Sequence, residues 1–477
     1  MSLSCIINLE GALSSPVPGH PNTDNTISWV PEPNTRGTLG ILSSSLLTFI
    51  LCLWTSLHLN IPRKGRTVAG RMGTKLAWSL LALILPELVV IIAWRQWVSA
   101  KALCAEVNEN LKAQGKIERW TIVHGFYAVM GGFVVEINDP ASPILRNRPT
   151  PFRVALTSHG VSFLSKHGHL PHIPENFIVE KSSADSVAKF LFCIQAIWCL
   201  VQYIGRLVTS LPVTPLEINT LGHVLCTVAI YVLWWHKPLD VSEPYTLSGG
   251  WVPGLGAYMW MQSQISRRTF SFRQNNCELY YLGRTREPPS RKPTTDDAVT
   301  LGKGQILLGT RFHFKSPDKL QLRRARGSVD LPAVLQPEDV RRWRLASTAM
   351  DLYAISLDSS FGNDLVGSVS SRAMAVGLAL LSATYGGLHI SALYGYFPSD
   401  FEATMWKLFS IWVLMGGISA PLFMVTTLKY FPPNDFMIYT ICCGCRFFLV
   451  IEAFMSIRKL PVDAYKTPTW TQLLLHL

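Results

Sequence analysis

Leu80–Trp94 reads LLALILPELVVIIAW, almost all hydrocarbon, with one carboxylate, Glu87, directly after Pro86. Such a run is either a soluble core or a membrane span, and the rest of the chain decides which. Of its 477 residues, 48% are hydrophobic and only 16% charged. Soluble proteins of this size carry about a quarter charged residues. The deficit is concentrated in seven apolar runs: Leu39–Leu59, Leu76–Trp94, Phe190–Val208, Leu216–Trp235, Met374–Tyr394, Leu408–Leu428 and Phe436–Ile457. Each is close to the ~20 residues a helix needs to cross a ~30 Å hydrocarbon layer. Lipid offers the backbone no partner, so helices are expected. The alternating ten-residue segments of a β-barrel are not seen.

The fold class expected is therefore all-α, a polytopic membrane bundle of seven to eight transmembrane helices. The first 35 residues hold no Lys or Arg, so Leu39–Leu59 reads as a retained signal anchor. Arg63, Lys64, Arg66, Arg71 and Lys75 follow it, whereas the tail has only Arg36. That asymmetry places the tail in the lumen and the loop in the cytosol. Four segments result: a lumenal tail (1–38), membrane helices over 39–262 with a connecting region at 95–186, a basic loop region (263–346) expected in the cytosol, and membrane helices over 347–477.

Seven crossings would put the basic loop in the lumen, against the positive-inside rule. One more crossing repairs the parity. The candidate is Trp120–Ile137, WTIVHGFYAVMGGFVVEI, which reads as a crossing, a re-entrant hairpin or a surface element. The formal charge of +12 comes mostly from such loops and reads as solvated or lipid-headgroup-facing surface, so no nucleic-acid partner is expected. The cysteines inside apolar runs behave as small hydrophobes. His159, His167, His169 and His172 include an H-x-H-x-x-H spacing but sit in a Gly/Pro loop, and no metal is assigned.

The acids carry the chemistry. A carboxylate in hydrocarbon costs about 2–3 kcal/mol even on the lenient scale, so it usually faces a cavity. Glu87 reads as a proton donor, or as a helix–helix hydrogen-bond partner of Gln195 or Asn219. Glu217 stands in Thr214-Pro215-Leu216-Glu217, a capping box with Pro at N1; it either only caps the helix or lines a cavity with Asn219 and Thr220. Arg446 and Glu452 are six residues apart and cannot pair locally, so each needs a partner elsewhere. Trp78, Trp198 and Tyr203 lie inside apolar runs, and ring faces steady a cation by ~0.5–2 kcal/mol. A buried acid among aromatics suits carbocation chemistry. Walker A, G-x-S-x-G, H-E-x-x-H and D-D-x-x-D motifs are absent. An isoprenoid reaction here would begin by protonating an alkene or epoxide.

The run LPVTPLEINTLGHVLCTVAIYVLWWHKPLDV (Leu211–Val241), with WTIVHGFYAVMGGFVVEI and EKSSADSVAKFLFCIQAIWCLVQYIGRL, resembles a family of fungal multi-pass membrane proteins. The shared pattern is roughly L-P-I-T-x-L-E, W-W-x-K-P-L and W-T-x-x-H-G-F. The likeness extends across most of the chain from NTRGTLGILSSSLLTFILCLWTSLHLN onward. EKSSADSVAKF departs from the more basic DKSKGD pattern. Many members have no assigned function; a few are integral membrane terpene cyclases of fungal meroterpenoid clusters, the ascofuranone and macrophorin type. The resemblance implies an endoplasmic-reticulum enzyme that cyclises the farnesyl-type tail of an aromatic or epoxycyclohexenone substrate without a cofactor. Its partners would be that lipid-soluble isoprenoid, the membrane and other enzymes of the same pathway. Within that expectation Glu87 or Glu217 donates the proton, His124 or a carboxylate removes the last one, and Asn219, Trp78, Trp198 and Tyr203 line the substrate. A small-molecule transporter and a non-catalytic membrane protein stand as alternatives.

Overall fold

The structure is a computed structural model. It describes residues 26–32, 36–62, 65–137, 152–182, 186–262, 371–392, 395–426 and 435–467, together with short segments between 278 and 355. Among the described residues the longer helices are α1 (Thr38–Thr55), α2 (Val68–Ile84), α3 (Pro86–Ala113), α4 (Ile122–Val129), α5 (Ser158–Lys166), α6 (Glu175–Glu180), α7 (Ser186–Val208), α8 (Pro215–Leu233), α9 (Val252–Gln262), α10 (Ser371–Ser391), α11 (Asp400–Thr426) and α12 (Asp435–Met455). Among the described residues, five helical stretches are long and apolar enough to cross a membrane: Thr38–Thr55, Pro86–Ala113, Phe190–Val208, Pro215–Leu233 and Thr440–Arg458. A shorter apolar helix spans Val376–Ser391.

The bundle is apolar on its outside. On α2, Val68, Met72, Leu76 and Leu80 are all exposed; at four-residue spacing they form one ridge. Exposed Ile, Leu and Phe also cover α7 from Phe190 to Val208. Water does not tolerate patches of this extent, whereas lipid does. Inside, α8 is the central post and packs against α1, α3, α7, α10 and α12. Gly377 of α10 lets Trp94 of α3 lie against the backbone, since a Cβ there would come within 2.2 Å of the indole.

The expected span Leu76–Trp94 is broken. Leu85, with φ −131° and ψ 61°, separates α2 from α3, and Pro86 starts the new helix at its N1 position, where a missing N–H does no harm. The contacts show where the two arms go. Lys75 on α2 lies 3.6 Å from Asp240, beyond the end of α8, and over the Trp54 ring near the end of α1. Leu83 lies level with the middle of α8, its carbonyl 2.9 Å from His223 Nε2. Gln96 on α3 is back at the first side, 3.3 Å from Asn60 and 2.8 Å from Lys237. The pair α2–α3 therefore enters the bundle, turns at Leu85 and returns to the side where α1 and α8 end.

α3 continues without interruption to Ala113, a rod of about 42 Å, where the connecting region 95–186 was expected. Its first half supplies Val89, Val90 and Ala93 to the bundle core. Its second half supplies Leu103, Val107 and Leu111 to a second core outside it. The second core holds Trp120–Ile137. That stretch is not a crossing: it forms the eight-residue α4, about 12 Å long, followed by strand β2 (Phe133–Ile137). Gly125 allows α4 to touch α3, because a Cβ would sit 2.4 Å from the Ala100 carbonyl oxygen.

The chain is mostly helical, as expected, with small sheets added among the described residues. After β1 (Thr26–Ile27) and β2 come β3 (Phe152–Ala155) and β4 (Tyr245–Leu247). β2 is central, antiparallel to β3 and parallel to β4. Within the expected basic loop, β5 (Glu278–Leu282), β6 (Val299–Leu301), β7 (Ile306–Leu307), β8 (Thr310–Lys315) and β9 (Ala333–Leu335) pair as β5-β8-β7 and β6-β9. The rest of that loop lies outside the described residues. At the opposite end of the bundle β10 (Leu460–Pro461) pairs antiparallel with β1.

Two buried cations tie these parts together. Arg206, at the end of α7, is fully buried. It donates to Pro212 O at 2.6 and 3.0 Å, to Ala464 O at 3.0 Å and to Lys466 O at 3.0 Å. One guanidinium thus holds the α7–α8 turn to the segment after α12. Lys237 does the same at the other side: it donates to His58 O, to Gln96 Oε1 at 2.8 Å and to Asn60 Oδ1 at 3.4 Å, and lies 4.2 Å from the Trp234 ring centroid. Burial pulls the Lys237 amine down from 10.5 to about 7.

Arg206→Leu leaves three carbonyls, that of Ala464 buried, without their donor, a loss of about 3 kcal/mol. Thermal unfolding in detergent should show a clearly lower midpoint, and an unchanged midpoint would rule out the pin. Lys237 adds a pH dependence. Its folded value lies below its unfolded one, so stability is highest above about 10.5 and declines as pH falls to about 7, by up to about 1.4 kcal/mol per unit. Lys237→Met should remove that slope from unfolding curves measured between pH 7 and 10, whatever it does to the midpoint itself.

Candidate functional site

Glu87 occupies the second position of α3, just past the turn at Leu85. The helix N-terminus favours a negative charge there. The side chain is 2% exposed. Its partner is neither Gln195 nor Asn219 but Arg446 on α12: Nη1 donates to Oε2 at 2.7 Å. Gln195 instead donates to Thr48 at 2.8 Å. The other carboxylate oxygen, Oε1, has no hydrogen-bond partner among the described residues.

From Arg446 the contacts run across the bundle. The guanidinium carbon lies 5.4 Å from the ring centroid of Tyr385 on α10. Tyr385 donates its hydroxyl to Asn219 Oδ1 at 3.3 Å, and His389 Nε2 lies 3.3 Å from the same oxygen. Asn219 is completely buried, yet its Nδ2 has no partner among the described residues. His223, one turn along α8, sits between Asn219 O and Leu83 O, each 2.9 Å away, and so covers a carbonyl freed where α2 ends. Rings surround the group: Phe49 is 5.0 Å and Tyr385 5.8 Å from His223, and Trp406 is 5.6 Å from His389. Trp406 donates to His389 O at 3.0 Å, which fixes the far wall.

The other residues expected at a site lie elsewhere. Glu217 is at the start of α8 and completes the capping box. Thr214 Oγ1 accepts from its N–H at 3.2 Å, and its Oε2 accepts from the Thr214 N–H and hydroxyl at 2.9 Å each. Arg36 pairs with Oε1, and Arg206 Nε stands 3.9 Å away. Every contact treats Glu217 as an acceptor. His124 closes the capping box of α4: its Nδ1 accepts from Thr121 N–H at 3.1 Å, and its Nε2 contacts Ile173 O at 2.8 Å. Burial pushes its pKa below the usual imidazole range, with the Ile173 carbonyl opposing. It belongs to the outer core, not to the cluster around Glu87. Trp78 and Tyr203 pack against the bundle core, half-buried. Trp198 is also half-buried, on α7.

The histidine run splits among different neighbours. His167 meets Phe163 and Tyr353, His169 stacks on Trp251, and His172 lies 3.6 Å from Glu118. Among the described residues no group of three His, Cys, Asp or Glu side chains is arranged to hold a metal. Glu452 is buried near the end of α12, apart from its helix-mate Arg446.

The site is thus one buried ion pair, Glu87–Arg446, with one carboxylate oxygen left without a partner among the described residues, beside a group of aromatic rings. Arg446, Tyr385, His389, His223 and Trp406 were not singled out as its members from the sequence. The sequence signals were Arg446 and His389 inside apolar runs and His223 in the polar first turns that also hold Asn219 and Thr220. No curated protein and no solved structure matches this chain. Residues 12–350 match the model of a Family of unknown function (DUF8562), a stretch that includes Glu87, Asn219 and His223, and the chain belongs to that family.

Proposed function

We propose that this protein is a membrane-bound terpene cyclase of fungal secondary metabolism, acting in the endoplasmic-reticulum membrane. It closes rings in the isoprenoid tail of a meroterpenoid, a farnesylated aromatic or epoxycyclohexenone, by acid-initiated carbocation cyclisation. One observation carries the reading: a buried carboxyl group, Glu87, is paired with Arg446, whose guanidinium faces the Tyr385 ring, and from Tyr385 the rings continue to His223, His389 and Trp406. The sequence resemblance points the same way. Ring faces lower the energy of a cation that passes them, and a positioned acid or base contributes typically 10²–10⁴-fold.

The pair with Arg446 bears on which step Glu87 serves. As built, it offers a carboxylate to a cation and an acceptor, Oε1, to the last proton. Delivering the first proton from the same residue requires substrate to enter with the pair parted. Glu217, enclosed by its capping bonds and two guanidiniums, has a structural part in this scheme. A second reading, a small-molecule transporter, is favoured by the helix break at Leu85, since broken helices with buried charge also build transport sites.

The same proposal includes the topology: six crossings (α1, α7, α8, α10, α11, α12) and a re-entrant α2–α3 pair, in place of seven or eight crossings. With the tail lumenal, α1 leads to the cytosol, α2–α3 returns there, and α7 and α8 go out and back. Segment 263–346 is then cytosolic, as its charge favours.

In yeast microsomes supplied with a farnesylated phenol or epoxycyclohexenone, Glu87→Gln should lower product formation at least 100-fold, while Glu217→Gln lowers protein yield and spares turnover per folded molecule. In deuterated water, one carbon-bound deuterium in the product marks alkene protonation; its absence marks epoxide opening. Substrate that crosses the membrane unchanged supports the transporter instead. For the topology, a glycosylation acceptor inserted at 288–296 should stay unmodified and one in the tail should be modified. A glycosylated 288–296 site would overturn the arrangement.

A further inference from the structure

His223 on α8 is buried and presents both ring nitrogens to carbonyl oxygens. Nδ1 lies 2.9 Å from Asn219 O, one turn back on its own helix, and Nε2 lies 2.9 Å from Leu83 O, at the end of α2. A carbonyl only accepts, and a neutral imidazole carries one N–H. The neutral ring therefore serves one of the two oxygens and turns a bare lone pair toward the other. Rotating the ring by half a turn gives no relief. Carbon would then stand where the nitrogens are, 2.9 Å from each oxygen, inside the roughly 3.3–3.6 Å of a C–H···O contact.

His124 and His389 have no such conflict. His124 accepts from Thr121 N–H with Nδ1 and meets Ile173 O with Nε2, one partner of each kind. His389 faces Tyr385 O with Nδ1 and the Asn219 side chain with Nε2, and an amide side chain holds a donor as well as an acceptor. For His223, only a second ring proton satisfies both oxygens at once. Leu83 O is the one that matters to the architecture. In an unbroken helix it would take the Glu87 N–H four residues on; the break at Leu85 leaves it to His223. The charged and titratable groups around the ring are Glu87 of α3, Arg446 of α12, and Tyr385 and His389 of α10, while α1 brings Phe49. Glu87 attracts an imidazolium and Arg446 repels it.

We infer that the turn at Leu85 is a protonation-sensitive joint: with both nitrogens protonated, His223 ties the end of α2 to α8 and keeps its bond to Asn219 O, and with one proton it gives up one of the two. Proton uptake therefore tightens the turn, and proton loss loosens it. Glu87 stands two residues beyond Leu85, so its pairing with Arg446 is seated by the same joint. The joint belongs to the fold itself and works alike in a cyclase and in a transporter.

Hydrogen–deuterium exchange on the full chain in nanodiscs tests the joint. Peptides covering 80–92 are followed from about pH 5 to 9, the range in which an imidazole titrates, with the intrinsic pH dependence of exchange divided out. In the wild type, protection of the turn should fall about tenfold in one step as pH rises, the effect of losing one hydrogen bond. Ring-nitrogen NMR on the same protein, labelled at histidine, should show one histidine passing from two protonated nitrogens to one at the same midpoint. His223→Gln keeps a donor and does not titrate, so its protection should not change with pH. Glu87→Gln, once shown to be folded, should retain the step. Wild-type protection that is flat across this range, or a step whose midpoint matches no histidine, overturns the inference. So does a step that survives His223→Gln, or one lost in Glu87→Gln, which would make the carboxylate the titrating group. The two wild-type measurements decide the matter where His223→Gln fails to fold.

Discussion

A backbone that turns inside a membrane must satisfy its freed polar groups within the protein, because lipid has nothing to offer them. Leu85 is that turn. Its neighbours answer the demand in a definite way: Pro86 brings no N–H, the dipole of α3 meets Glu87, and the Leu83 carbonyl meets His223. The central helix α8 must therefore carry polar residues from its first turns to its middle. Asn219, Thr220 and His223 are all buried on it. The unusually polar start of α8 and the proline in the second apolar run are two halves of one requirement.

The turn also sets the position of everything beyond it. Because α2–α3 returns to the side it came from, α3 can run on past the bundle and carry a second core. The sheet β3-β2-β4 and α4, α5 and α9 are built on that extension. Lys237 stands at the junction, touching the loop after α1 and the middle of α3. Two cores sharing one continuous helix cannot move independently without bending it.

The sequence made the bundle legible because burial in lipid and burial in protein both demand apolar runs, and these become α1, α7, α8, α10, α11 and α12. Where those runs break is less legible. Leu76–Trp94 has the composition of a span, and Trp120–Ile137 nearly so, but neither crosses as one helix. Hydropathy reports what a segment is surrounded by and not the direction in which it leaves. Pro86 was the local sign of the turn, ambiguous because proline also kinks helices that do cross. Glu87 stood out for its cost, whereas its partner lay 359 residues away and no local spacing rule reaches that far. Glu217 shows the converse: its motif was local, T-x-x-E, and the capping box reading accounts for its contacts to Thr214, with the Arg36 pair added by tertiary contact. His124 likewise has a local capping role that the W-T-x-x-H-G-F string contains but does not announce.

The two buried acids differ in how far their surroundings complete them. Glu217 has both oxygens taken, and its neighbour Arg206 spends its donors on carbonyls that hold the chain together. Removing either would leave buried groups bare, which is the behaviour of a structural joint. Glu87 has one oxygen taken and one not. An ion pair alone rarely stabilises a fold better than apolar packing of the same volume, so stability gives a weak reason to keep Glu87 and Arg446. A buried carboxylate with one oxygen left open is what a site for a bound molecule needs, and Glu217, with both oxygens taken, does not have it.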